Sequence, residues 1–172
     1  MDRIEVYRRW YEQERVSNGQ MLGMLESVPA EARSDPRFQR AVVLAAHLAA
    51  CRENWLDRMV AGGTHQVEWW PESAEIAGLG PRYVALEERW SAYLDQLCDD
   101  QLDVDFEFSV SSDTRYRWNI EGQIMQLVGH AFYHRGQIAL LVEQLGGETV
   151  DTDYLYWAFE TQPDRWKAFR GG

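Results

Sequence analysis

The run NIEGQIMQLVGHAFYHRGQIALLVEQL, Asn119 to Leu145, decides the fold. Within it Ile120, Ile124, Leu127, Ala131, His134, Ile138, Leu141 and Leu145 recur at a strict 4-3-4-3 spacing. That period places them along one stripe of a long helix, the seam it would bury in a bundle. Gly146-Gly147 follows as the stop. His134 occupies a seam position where every other residue is apolar, and His130 precedes it by four residues on the same side.

Upstream of this helix the period falls to two. Val104, Phe106, Phe108 and Val110 alternate with Asp105, Glu107 and Ser109. Ser111-Ser112-Asp113 makes a turn, and Tyr116 and Trp118 continue the alternation, so one β-hairpin is expected. Before it, a helix is read from about Pro81 to Cys98, with Pro81 in its first turn and Tyr83, Leu86, Trp90, Tyr93, Leu94 and Leu97 on its apolar side. Residues 62–80 carry Gly62, Gly63, Pro71, Gly78 and Gly80 and read as a long loop. Two further helices come first. One runs from about Asp2 to Ser27, with Tyr7, Trp10, Tyr11, Met21 and Leu25 inward. The other runs from about Asp35 to Ala61, started by Ser34-Asp35-Pro36, with Leu44, Leu48, Cys51, Trp55 and Met59 inward. In the tail, Asp153 to Phe159 reads as one short helix packed on the bundle. The expected architecture is all-α: a four-helix bundle forming a single domain over residues 1–172, with one small β-hairpin before the last long helix.

Composition narrows the partners. The net charge is −11 and Lys167 is the only lysine, so nucleic acid and anionic membrane are not expected. No apolar run approaches the ~20 residues that span a bilayer. Two lone cysteines, Cys51 and Cys98, make no disulfide framework and fit a reduced, cytoplasmic setting. Most of the eight tryptophans read as packing, although Trp69-Trp70 falls in the loop and can line a pocket mouth.

Of four histidines, three sit at inward-facing helical positions. His47 lies between Leu44 and Cys51 on the inner side of the second helix, and His130 and His134 lie on the last; His65, in the Gly-flanked loop, is expected to be solvated. A buried imidazole with an unpaired nitrogen costs roughly 1–3 kcal/mol. Ligation of a shared metal satisfies one nitrogen on each ring and leaves the other to a carbonyl or carboxylate. The pair does not match the zinc-protease helix motif, which needs Glu directly after the first His, because Ala131 stands there.

The string His130-x-x-x-His134-Arg135-Gly136-Gln137, with His47 in the second helix and the tail Asp153-Tyr154-Leu155-Tyr156, resembles the DinB/YfiT family of metal-dependent enzymes over nearly the whole chain. The resemblance implies a four-helix bundle, a divalent ion held by His47, His130 and His134, and a homodimer. It names no substrate, although some relatives transfer groups to low-molecular-weight bacterial thiols.

Three neutral imidazoles leave an ion its full charge and an open coordination position. Such an ion lowers the pKa of bound water to about 7, giving hydrolase-type chemistry on a small molecule, or it deprotonates a thiol, giving an S-transferase. Imidazoles suit zinc, nickel, copper and iron; zinc or nickel is expected, with iron or manganese also open. Cys51, one turn beyond His47, is either a small core residue or a fourth ligand that closes the site as a non-catalytic, metal-stabilised dimeric protein. Glu14 and Asn18 interrupt the apolar side of the first helix and face either the metal cavity or solvent. Arg135 and Gln137 follow His134 but point to other faces; Arg135 reads as a partner in an ion pair ahead of an anion clamp, and Gly136 as a point where another helix comes close, within the bundle or across a dimer.

Overall fold

The computed structural model describes residues 2–61, 67–109 and 113–167. The chain is mostly helical. The order is α1 (Arg3–Ser27), α2 (Pro36–Ala61), α3 (Ile76–Gln96), a one-turn α4 (Asp99–Leu102), β1 (Asp105–Ser109), β2 (Arg115–Asn119), α5 (Ile120–Gln144) and α6 (Tyr154–Thr161). The four long helices form the expected bundle. In it α5 packs between α1 and α2, and α3 closes the opposite side between the same two helices. Alanines 41, 45, 46, 49 and 50 are fully buried on α2, which lets its neighbours approach closely. Among the described residues no helix is long and apolar enough to cross a membrane.

Local chemistry sets the helix ends. The Asp35 carboxylate accepts the Arg37 N–H at 2.8 Å, and Pro36 opens α2. The Asn119 side chain caps α5 by accepting the Gly122 N–H at 2.6 Å. The indole of Trp118 lies against Gly122, where a Cβ would stand 2.6 Å from the ring, so any larger residue would have to displace the indole. Gly146 ends α5 with φ +79°.

Four expectations change. Helix α3 begins at Ile76, not Pro81, and Pro81 lies inside it. Leu79 is buried, so packing extends the helix backward across Gly78 and Gly80 despite the missing proline N–H. Cys98 is not helical; it precedes α4 and is exposed. The hairpin pairs Phe106 with Trp118 and Phe108 with Tyr116, but only β1 packs inward. Phe108 meets Trp55 of α2 at 4.9 Å, whereas Val104, Tyr116 and Trp118 are 52%, 55% and 48% exposed. In a two-stranded sheet only the strand nearer the helices is covered. At the end of α5, Val142 rather than Leu141 is fully buried, because a 3.6-residue turn drifts away from a 3.5-residue repeat. Gly62, Gly63, His65, Val110, Ser111 and Ser112 lie outside the described residues.

Helix α6 covers the outside of the bundle, with Trp157 and Ala158 buried and the Tyr154 ring tilted against Trp10 at 4.2 Å.

Candidate metal centre

The sequence separates His47 from His130 and His134 by more than 80 residues, and the α2–α5 contact brings them together. Their donor nitrogens all lie within 4.8 Å of one another, and among the described residues no carboxylate or thiol joins that cluster. His47 and His134 are buried and His130 is half-buried. The ring centroids are 5.1 Å apart for His47 with either partner and 4.5 Å for His130 with His134.

Hydrogen bonds fix two tautomers. The His47 Nδ1–H donates to the Trp69 carbonyl, which can only accept. The His134 Nδ1–H donates to Gln137 Oε1 at 2.7 Å. In both rings Nε2 therefore carries the free lone pair. The Nε2 atoms of His47 and His130 face each other at 3.3 Å, and His130 Nδ1 is buried without a partner among the described residues. Two nitrogens each bound ~2.0–2.1 Å from one tetrahedral ion stand about 3.3 Å apart, so the spacing fits a shared metal.

All three imidazoles favour the neutral, ligand-competent form. Burial pushes His130 down to about 4, helped by His134, His47 and Arg52. Burial also lowers His47 and His134, opposed by their hydrogen bonds to the Trp69 carbonyl and Gln137.

A loop holds this geometry in place. Asn54 of α2 grips Val67 from both sides, donating to its carbonyl at 2.8 Å and accepting its N–H at 2.7 Å. The Arg58 guanidinium lies over Trp55, Trp69 and Phe108 at 4.8, 4.8 and 5.3 Å. The anchored segment presents the Trp69 carbonyl to His47 and lays the Trp70 indole flat on the same imidazole, with centroids 3.5 Å apart. Trp69-Trp70 does border the site, and the stronger of its two contacts comes from backbone. Gln137, expected on another face, is instead the hydrogen-bond partner of His134.

Behind His130 lies a polar interior. Glu14 and Asn18 are buried and, with Arg52, Tyr83 and His130, line a cavity of about 10 Å³, roughly room for one water. The Glu14 carboxylate is gripped by Arg52 through Oε1 at 2.8 Å and through Oε2. Arg135 is fully buried and makes no ion pair among the described residues, contrary to expectation. Its Nη1 reaches Asn18 Oδ1 at 3.4 Å, and its guanidinium lies over Phe132 at 4.8 Å. Gly136 has open space where a Cβ would stand, so among the described residues nothing packs against it there. The Cys51 thiol lies 3.5 and 3.7 Å from the two nitrogens of His47 and reaches neither other histidine cluster member, and burial pushes it up to about 12.

The sequence model of the DinB family matches residues 3–165. The chain belongs to the DinB family. It is 23% identical over 166 residues to the protein named DinB from Bacillus subtilis (strain 168), covering 90% of this chain and 95% of that one. No solved structure matches it.

Proposed function

We propose that this DinB-family chain is a divalent-metal-dependent enzyme of hydrolase type acting on a small molecule, with His47, His130 and His134 as the ligands. The observation that carries the reading is the convergence of three neutral imidazoles, with two fixed Nδ1–H tautomers and an Nε2–Nε2 spacing of 3.3 Å. A divalent ion held there supplies Lewis acidity to a water or a thiol. The chain itself orients the donors through the Trp69 carbonyl and Gln137, and Trp70 shields one imidazole face. Glu14 is held by Arg52 on the interior side, so its role is to balance charge, not to act as a free base.

Zinc or nickel suits this donor set, with iron and manganese as further candidates. The test is elemental analysis of the full chain. About one metal per chain is expected, lost in His134→Ala. Metal-free protein that takes up neither zinc nor nickel at micromolar concentration overturns the reading.

A second reading, S-transfer to a small thiol, uses the same ligands. It is favoured by one observation: the charged side chains acting on the imidazoles, Arg40 and Arg52, are both cationic, which suits a thiolate. Conjugation of an electrophile by the metal-loaded protein, with and without added thiol, separates the two. A purely structural, closed site is disfavoured because Cys51 stands outside the donor cluster.

We also propose a homodimer formed through the outer face of α5, where Met125, Tyr133 and Leu140 are exposed beside Gly129 and Gly136. Light scattering checks this. Free Cys51 and Cys98 accord with a cytoplasmic location.

A further inference from the structure

The charges around the triad are lopsided. The chain as a whole carries −11, yet among the described residues no carboxylate joins the triad, and cationic side chains stand on two sides of it: Arg52 lines the small cavity with His130, and Arg40 lies over the Trp70 ring that stacks on His47. Inside, Arg52 and Arg135 share a single buried carboxylate neighbour, Glu14, and Arg135 Nε has no acceptor among the described residues. Outside, Arg40 sits two helical turns before His47 on α2 and is exposed. Its guanidinium carbon lies 5.4 Å from the Trp70 ring centroid, and Trp70 is itself stacked on His47. Among the described residues Arg40 has no carboxylate partner, whereas Arg37, three residues earlier on the same helix, is paired with Asp35 at 2.7 Å.

An exposed cation held beside the triad by an aromatic face, with no carboxylate partner among the described residues, has donors to spare. A guanidinium presents its N–H groups as a planar fork that matches a carboxylate. We propose that the site selects a small substrate bearing a carboxylate, which Arg40 binds beside Trp70 while the reacting group lies at the triad. The inference rests on the triad being a metal centre and adds a specificity-determining residue and a substrate class. The inner excess of positive charge acts in the same direction, since the field of the pocket attracts anions over a longer range than one contact does.

The experiment uses the full chain loaded with cobalt(II), titrated with 3-mercaptopropionate and with the neutral 3-mercaptopropan-1-ol. The visible and near-ultraviolet bands of thiolate-bound cobalt report binding, so no turnover is needed. Wild type and Arg40→Gln are compared for each thiol. Arg40→Gln is expected to weaken 3-mercaptopropionate about tenfold and leave the alcohol within about twofold, with Arg40→Lys intermediate for the acid. Arg40 is exposed, and an unchanged thermal midpoint checks that the variant folds. Equal effects on both thiols, or no effect on either, overturns the carboxylate assignment while the metal reading stands. Failure of wild type to take up cobalt overturns both.

Discussion

The Nε2 atoms of His47 and His130 face each other at 3.3 Å. Two imidazole lone pairs at that distance repel unless a cation or a proton lies between them. If a proton does, one ring donates to the other and His130 carries its hydrogen on Nε2. If a metal does, both Nε2 atoms are bare and His130 is protonated on Nδ1, matching the tautomers that Trp69 and Gln137 impose on its neighbours. Long-range nitrogen–proton NMR correlations of the metal-loaded protein read this directly.

Asn54 is expected to control the site without touching it. Its side-chain amide holds both backbone groups of Val67 and so anchors the segment that brings Trp69 and Trp70 to His47. Asn54→Ala removes two hydrogen bonds and leaves a buried interior gap, at a cost of about 1–3 kcal/mol. Zinc affinity should fall about 10–100-fold, the size seen when a ligand loses its orienting partner. The decisive readout is the His47 tautomer, which should become mixed. A lower thermal midpoint with unchanged tautomer and affinity would reduce Asn54 to a merely structural role.

Metal-free protein should lose stability on mild acidification. His130 has its folded pKa depressed to about 4, against an ordinary value of 6.5. Between those values the unfolded chain binds a proton that the folded chain refuses. Stability is therefore complete above about 6.5 and is lost as pH falls toward 4. His47 and His134, also lowered, act in the same direction. The loss assigned to His130 is on the order of 1–2 kcal/mol, reduced from the full linkage because water reaches part of the ring. Asp99, Asp103 and Glu121 are held below their ordinary values of 3.8 and 4.5, so their contributions fade only as pH approaches those values, and the window from about 5.5 to 6.5 isolates the histidines. Denaturant melts across that window should slope in wild type and flatten in His130→Asn.

The seam of α5 was legible because burial imposes a period, and Ile124, Leu127, Ala131, His134 and Ile138 all lie where that period puts them. His47 was legible for the same reason. The supports of the site were not. A backbone carbonyl such as that of Trp69 carries no residue signature, and Gln137 is one of several polar residues within a turn of His134. Glu14 stayed open between cavity and solvent, Arg135 read as an ion-pair partner and Arg52 gave no signal, because each is costly to bury alone. Only the diagonal approach of α1 and α2 turns Glu14 and Arg52 into a pair. Helix α3 began early because tertiary packing of Leu79 outweighed a proline signal.

The Glu14–Arg52 pair should be costly to break from either end. Both side chains are almost fully buried, and the Arg52 guanidinium also lies over the Trp90 ring at 4.6 Å. Glu14→Ala leaves Arg52 and Arg135 without a carboxylate in the interior and should destabilise by about 3–5 kcal/mol. Urea denaturation measures it. Glu14→Gln, which loses the charge but keeps an acceptor oxygen, should cost less; equal costs would mean that charge alone carries the pair and the hydrogen bond adds nothing.

Cys51 decides whether the site is open. Of the three histidines its thiol pairs with His47, at 3.5 Å from Nε2 and 3.7 Å from Nδ1, so it lies beside the ring and outside the donor cluster, and its burial keeps it protonated at neutral pH. A thiolate ligand would have to leave that position and give up its proton. Cys51→Ala is therefore expected to keep about one zinc per chain with affinity within about threefold of wild type, at the cost of a small cavity. The cobalt(II) form should show no sulfur-to-cobalt charge-transfer band before external thiol is added. A hundredfold loss of zinc, or such a band in wild type that Cys51→Ala abolishes, would make the site four-coordinate and closed, and would remove the position at which a substrate could bind.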